Sequence, residues 1–556
     1  MSEIKKHWYK EMSVYQIWPR SFCDGNGDGI GDLDGIMSKL DYIKSIGVDV
    51  IWFSPLYPSP NADYGYDISD YRNISPDYGN TEQFKVLIDE AHKRGLKIIM
   101  DLVVNHTSDE HEWFKQGRAD KNSKYHNYYF WREGKGKNPP NNWKSVFEGG
   151  AWEYDKDLNE YYLHVFAKKQ PDLNMDNPEV RQEVKDIMKY WLDMGVDGFR
   201  EDVITYISKR EGLPNGIPLP VGAGIEHYTN GPHVYEYLKE FKDEVLSKYD
   251  CFTVGEAPMM TPKVAKEYIT EGDSQVLNLM FHFQHMEADS FLTDWIHVPF
   301  SLKKMKKAFS TWQKEMYGTA WNALYIENHD HPRAIDRFGS LKYHKQSAKM
   351  LATMYICQSG TPFIYQGQEI GMTNATFNDV NEFKDVLTFN NQRLFKKLGV
   401  SDKKFLSMAN RCSREQSRTP MQWNSSENGG FTTGTPWFKV NDNYKDINVE
   451  SQENDPDSVL NFYRKLLKFR KENEIVIYGD YKEHYKSSSD LFVYERNLDG
   501  KRMLVICSFT EKPVRFTAPE GFDLEKGRLV LQNYDVIYNS NVFMTKPFEM
   551  RVYMFD

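Results

Sequence analysis

The chain has 556 residues, 40% hydrophobic and 27% charged, with a formal net charge of −10. That is the composition of a globular enzyme, one large domain with appendages or several domains. No Lys/Arg run forms a basic arm, which argues against a nucleic-acid partner, and no stretch of about 18 apolar residues offers a membrane span. The start, "MSEIKKHWYKEMS", lacks the apolar region of a signal peptide. Cys23, Cys251, Cys357, Cys412 and Cys507 are scattered and never in a CxxC pair, as free thiols of a reducing compartment would be. Aromatic residues reach 15%. Most belong to core packing, and the surplus is of the kind that lines sugar or ligand clefts.

In chain order, "SVYQIWP" (13–19) predicts a first strand. It leads into "DGNGDGIGD" (24–32). There Asp24, Asn26, Asp28, the Ile30 carbonyl and Asp32 take positions 1, 3, 5, 7 and 9 of a calcium loop, with Gly29 at the sharp-turn position 6. The twelfth position is Gly35, so the bidentate Glu of an EF-hand is missing, and no helix pattern precedes the loop. A structural calcium ion is the expectation, and a metal-free Asx-rich turn the alternative.

The helix pattern "DLDGIMSKLDYIKSIG" then precedes the strand pattern "VDVIWFSP" (48–55), and "TEQFKVLIDEAHKRG" precedes "LKIIMDLVVNH" (96–106). Residues 107–174, rich in Trp, Tyr, Lys and Asn, are too long for a simple loop and predict a small inserted domain. The helix pattern 177–195 precedes "VDGFRED", and "CFTVGEA", "VLNLMFHF", "NALYIENHD" and "TPFIYQGQE" follow. Eight apolar runs alternating with helices predict an α/β fold, a closed parallel (β/α)8 TIM barrel formed by 1–106 and 175–477. Residues of about 370–455 form a second irregular insertion. From 478 to 556 the short alternating runs predict a C-terminal antiparallel β-sandwich domain.

Catalytic groups of such barrels sit at the C-terminal ends of strands. Asn105 and His106, Arg200 and Asp202, Glu256, and His329 with Asp330 each interrupt an apolar run where it stops. Strand alternation puts Arg200 and Asp202 on one face and Glu201 on the other. A guanidinium beside Asp202 favours its ionised form, which suits a nucleophile, whereas a carboxyl such as Glu256 in a desolvated mouth is suited to donate a proton. A structural Arg–Asp pair and a helix N-terminal acid are the plain alternatives. No HExxH or DxD spacing marks a catalytic metal site at these positions. Two working carboxylates fit glycosidase chemistry better.

Taken together, "DLVVNH" (101–106), "GFRED" (198–202), "VGEA" (254–257) and "ENHD" (327–330), in this order, resemble the α-amylase superfamily of retaining glycosidases. "NADYGYDISDY", "KKQPDLN", "SRTPMQW" and "TPFIYQGQEIGMTN" resemble its oligo-1,6-glucosidase group, over essentially the whole chain. The resemblance implies Asp202 as nucleophile, Glu256 as acid/base and Asp330 as transition-state stabiliser. It implies that Tyr66 stacks on the sugar and that His106, Arg200 and His329 bind its hydroxyls or the nucleophile. Asp63 with Arg418 would grip the non-reducing end and close the pocket behind one glucose, with Phe166 and Gln170 as pocket walls. Val203, after the nucleophile, is what α-1,6-acting members carry.

The resemblance further implies the calcium loop, no organic cofactor, a small oligosaccharide substrate, and a cytoplasmic monomer or homodimer. Four positions depart from the branch's usual residues: Tyr64, Glu201, Glu327 and His331. Tyr64 and His331 are expected to border the entrance, and Glu201 to pair with a Lys, Arg or hydroxyl in the helical shell. The alternatives are a trehalose-6-phosphate hydrolase, which needs a basic phosphate pocket at the entrance, and a sucrose- or α-1,4-preferring relative. A sucrose isomerase is disfavoured because no "RLDRD"-like loop follows "EIGMTN". A non-catalytic amylase-like protein is disfavoured by the presence of all three acids.

Overall fold

The computed structural model describes residues 6–147, 149–219, 222–536 and 539–556. All eight predicted apolar runs are strands of one parallel sheet: β1 Val14–Ile17, β2 Val50–Phe53, β3 Lys97–Leu102, β4 Gly198–Glu201, β5 Phe252–Glu256, β6 Leu279–Phe281, β7 Ala323–Leu324 and β8 Thr361–Tyr365. β1 pairs with both β2 and β8, and pairing runs in sequence from β1 to β6 and from β7 to β8. The sheet is therefore a nearly closed barrel. Its β6–β7 seam is bridged by side chains: Tyr325 Oη donates to the His282 carbonyl at 2.9 Å, and a ring nitrogen of His285 to the Tyr325 carbonyl at 2.7 Å.

The strands are buried along nearly their whole length, as a parallel sheet covered by helices requires. The helices end where their sequences stop them. Asn80 and Gln83 form a reciprocal capping box on Thr81–Lys93. Pro178–Met194 starts with Asn177 and a first-turn proline and ends at Gly195 in the left-handed conformation. It buries Val180, Val184, Ile187, Met188 and Trp191 on one face. Gly198 opens β4 with φ 149, and a Cβ there would lie 1.9 Å from the Phe252 carbonyl oxygen. Only glycine lets β4 approach β5, which sets Asp202 beside Glu256.

Residues 107–174 carry a three-stranded antiparallel sheet in the order Trp131–Arg132, Glu160–Leu163, Trp152–Asp155. Both ends of this insertion are tied to the end of β3: Leu173 N donates to the Asn105 carbonyl and Thr107 N to the Pro171 carbonyl. The inserted unit is thereby fixed over the barrel mouth. From Lys482 on, a five-stranded antiparallel sheet and a two-stranded one follow. The hairpin Leu491–Leu498/Lys501–Ser508 turns on Asp499 and Gly500, both at positive φ, as a two-residue turn of this hand demands. Among the described residues no helix is long and apolar enough to cross a membrane, and all five cysteines are unpaired.

Candidate active site

Arg200 is the hub of the barrel mouth. It is 2% exposed, and its guanidinium holds three carboxylates. Nη1 donates to Asp101 Oδ1 at 2.5 Å and to Asp202 Oδ1 at 2.6 Å, and Nη2 donates to Glu256 Oε2. Glu256 also accepts from the backbone N–H of Val203 at 3.2 Å. Strand alternation predicts Arg200 beside Asp202, and the structure divides its charge among three acids. Burial accordingly pushes the Asp202 carboxyl above the usual carboxylate range. Arg200 works against this shift, while Glu256 and Asp101 reinforce it. Asp101, buried in the same way, is pushed up to about 6. One guanidinium cannot neutralise three carboxylates, so the cluster tends to retain a proton.

Asp330 has the opposite environment. Burial pushes it up, but His329, Arg414 and Arg418 together hold it well below the usual range. Arg414 Nη1 lies at 3.1 Å, Arg418 Nη2 at 3.0 Å and His329 Nε2 at 2.9 Å from its oxygens. Gln16 donates to His329 Nδ1 at 2.7 Å, which leaves the ring proton on Nε2, facing Asp330. His329 and Asp330 stand in a loop after the short strand β7 rather than at its last residue.

The closed end differs from its predicted form. Asp63 is bonded by Arg414 Nη2 at 2.6 Å and by Gln170 Nε2 at 3.0 Å. Arg418, predicted as its partner, bonds instead to Asp385 at 3.0 Å, to Asp330 and to the His329 carbonyl. Both arginines lie on the 3-10 segment Arg414–Arg418, and both reach Asp330 and Asp385. Arg414 is the nearer one to Asp63. Asp385, which caps the helix Val386–Lys397, ties both arginines together. Arg414 and Asp385 were not found in the sequence, because neither ends a strand. Arg414→Lys keeps the charge but loses the fork, so kcat/KM is expected to fall about 10–100-fold, about 1.4–2.7 kcal/mol. A variant within twofold of the parent in steady-state kinetics would return the role to Arg418.

Tyr66 Oη lies 2.6 Å from His329 Nε2 and 3.0 Å from Asp101 Oδ2, and its ring is stacked on that of His329. His106 lies at 3.1 Å from the Tyr66 carbonyl and from Gln170 Nε2, against the Phe166 ring. Burial lowers both His106 and His329 to about 4, so both rings are neutral near pH 7. Val203 sits at φ 36, ψ 40, a strained conformation for a β-branched residue. It packs with Phe147, Phe166 and Tyr206. The structure thus gathers Asp63, Tyr66, His106, Phe166, Gln170, Arg200, Asp202, Val203, Glu256, His329, Asp330 and Arg418 at one end of the barrel.

The four unusual positions separate. Glu327 is structural: it pairs with Arg333 at 2.7 Å and accepts from Ala334 N at 2.9 Å. Tyr64, half-buried, packs against Trp437 with Arg20 near its ring, a cation–aromatic stack. His331 is buried against Phe283, and neither ring nitrogen has a hydrogen-bond partner among the described residues. Glu201 contradicts its expectation. It is fully buried, and neither carboxyl oxygen finds a partner among the described residues. Burial alone raises it to about 8.

In the 24–32 loop, Asp24 accepts from Asn26, Gly27 and Gly29 N–H, Asn26 from Asp28, and Asp28 from Ile30, all at 2.7–3.0 Å. These are Asx turns that wrap the loop. Asp32 caps the helix Leu33–Ser38 and accepts from Gly25, Asn26 and Gly35. Among the described residues no three His, Cys, Asp or Glu side chains gather as a metal-binding group. A cation here would need the Asn26 amide and the Ile30 carbonyl in addition to Asp24, Asp28 and Asp32, a hard-oxygen set of the kind calcium takes.

Two carboxylates drawn onto one guanidinium at the mouth of a (β/α)8 barrel, with a third acid held ionised by arginines, define a glycosidase-type barrel enzyme. Residues 16–479 match the α-amylase catalytic domain, and the chain belongs to that family. It is 49% identical to an oligo-1,6-glucosidase of Parageobacillus thermoglucosidasius, over 99% of each chain. It is 44% identical to a trehalose-6-phosphate hydrolase of Bacillus subtilis, over 98% of each chain. Among solved structures, it is similar to a trehalose-6-phosphate hydrolase of Bacillus licheniformis, with TM-score 0.94 and 44% identity over 99% of this chain and 100% of that one. It also matches an isomaltulose synthase of Erwinia rhapontici, with TM-score 0.96 and 40% identity over 99% of this chain and 100% of that one.

Proposed function

We propose that this protein is a retaining, exo-acting α-glucosidase that hydrolyses α-1,6-glucosidic bonds from the non-reducing end of isomalto-oligosaccharides and related short α-glucosides. The observation that carries this is the joining of Asp202 and Glu256 on the two η nitrogens of Arg200. That arrangement favours the close carboxyl spacing of retaining enzymes, about 5–5.5 Å, over the wider inverting gap. The Asp63–Arg414–Gln170 cluster closes the pocket behind one glucose, which supports exo action. The relatives named oligo-1,6-glucosidase and the Val203 side chain support the linkage.

In the first step Glu256 gives its proton to the glycosidic oxygen as that oxygen leaves with the bonding electrons. An Asp202 oxygen attacks the anomeric carbon from the opposite face and forms a β-glucosyl ester. Glu256, now ionised, takes a proton from water. The water oxygen attacks the same carbon, Asp202 departs, and α-glucose is released. One guanidinium shared among three carboxylates leaves the cluster holding a proton, and in this reading that proton is the one the first step delivers to the leaving oxygen. Asp330 binds sugar hydroxyls more strongly as the ring flattens and gains positive charge, so it acts on rate.

A phosphorylated substrate needs cations at the entrance. The hairpin Ser290–His297, which follows β6 at the mouth, contains no Lys or Arg and exposes Phe291, Leu292 and Ile296. That favours a neutral glucoside over trehalose 6-phosphate. A panel of isomaltose, panose, maltose, sucrose, trehalose and trehalose 6-phosphate, with Asp202→Asn as blank, tests the reading. Isomaltose and panose are expected as the best substrates. Preference for maltose would overturn the linkage, and activity confined to the phosphosugar would overturn the substrate class.

The same reading places a structural calcium ion on Asp24, Asn26, Asp28, the Ile30 carbonyl and Asp32, with no organic cofactor, in a cytoplasmic monomer or homodimer. Chelation is expected to lower Tm by about 2 °C, since an ion bound at about 100 times its Kd adds about 2.7 kcal/mol. Asp28→Ala should abolish that dependence. A Tm indifferent to chelator and calcium would leave the loop as Asx turns alone.

A further inference from the structure

A cleft of about 700 Å³ lies between the inserted unit and the helix Val386–Lys397. Its volume is that of a small-molecule site. None of Arg200, Asp202, Glu256, His329 or Asp330 lines it, although Ala62, the neighbour of Asp63, does, and Phe166 is a wall it shares with the active site. Its walls carry five cations, Lys144, Lys168, Lys169, Arg393 and Lys397, and Glu153 is the one acid among the described lining residues. Lys168 is paired with Glu153, and Lys169 with Asp109 and Glu110. Lys144, Arg393 and Lys397 have no carboxylate partner among the described residues, in a protein of net charge −10. Such a local excess of positive charge focuses an anion.

A second feature is independent of charge. His164 lines the cleft, is 3% exposed, and donates from Nδ1 to the Phe166 carbonyl at 3.0 Å. Its Nε2 is then a bare acceptor, buried and without a partner among the described residues. Burial keeps the ring neutral by lowering its pKa. A buried acceptor without a donor is costly unless a ligand or water supplies one. Trp152 and Phe166 add aromatic surface in the same cleft.

We propose that this cleft is a second, non-catalytic binding site for a sugar phosphate. The cations meet the phosphate, a sugar hydroxyl donates to His164 Nε2, and the aromatic side chains meet the apolar ring faces. A ligand there would join the inserted unit to the helix whose cap, Asp385, anchors Arg414 and Arg418.

The test is calorimetric titration of the full-length enzyme, its active site saturated with the glucose analogue deoxynojirimycin. The probes are glucose 6-phosphate, inorganic phosphate and glucose. Saturable one-to-one binding of glucose 6-phosphate is expected, about fivefold or more tighter than phosphate, with none for glucose. Arg393→Glu with Lys397→Glu should weaken it at least about tenfold while hydrolysis stays within about twofold. His164→Phe should weaken glucose 6-phosphate but not phosphate. The site is overturned if no binding saturates, if the analogue displaces it, or if the charge reversals leave it unchanged. Phosphate binding as tightly as glucose 6-phosphate would overturn the carbohydrate assignment.

Discussion

Asp202→Asn is expected to cut kcat on isomaltose by about 10⁴-fold or more, a barrier increase of about 5.5 kcal/mol. The carboxylate is removed from the one position where it both accepts from Arg200 and borders Glu256, so no neighbouring oxygen replaces the nucleophile. Glu256→Gln should behave differently. With isomaltose it should lose a comparable factor, because the leaving sugar needs its proton. With a nitrophenyl glucoside, whose leaving group needs little protonation, the first step should largely survive. A burst of nitrophenol with Glu256→Gln and none with Asp202→Asn would separate the two roles. The reverse pattern would exchange them.

The second large effect concerns stability. Glu201 is held with its proton, because burial raises its pKa from 4.5 to about 8 and neither oxygen has a partner among the described residues. The folded state then binds more protons than the unfolded one between these values. Its contribution is fully present below pH 4.5 and is lost as pH rises through about 8. Between pH 5 and 7 the loss amounts to about 2–3 kcal/mol. Glu201→Met removes this dependence. Its Tm should exceed the parent's by a margin that widens by a few degrees from pH 5 to pH 7, while its rate stays within about tenfold. A margin independent of pH would mean that Glu201 is ionised in the folded protein. A rate loss as large as that of Asp202→Asn would make Glu201 the working acid.

The barrel was legible because strands buried on both faces read as unbroken apolar runs, each ended by the polar residue that reaches the mouth. That rule located Asp202 and Glu256 directly. Asp330 was found too, although it stands in a loop beyond β7. The rule did not reach Arg414 or Asp385, which lie in an irregular segment after β8. There, position in the chain says nothing about position in space.

Strand alternation showed which way Glu201 points, but not what surrounds it. The expected partner is absent among the described residues, and burial is the one influence on its carboxyl. The pairing of Arg200 with Asp202 was also legible from the two-residue spacing. The competing claims of Asp101 and Glu256 come from neighbouring strands. Those claims change the electrostatics of the site, and only the barrel's register reveals them.

The central claim is that Asp202 carries the glucosyl group between two inversions. Proton NMR of isomaltose hydrolysis, recorded before mutarotation, tests it most directly. The glucose released from the non-reducing unit should appear first as the α-anomer and drift to the α/β equilibrium afterwards. First appearance of the β-anomer would mean a single displacement by water and would contradict the covalent role of Asp202.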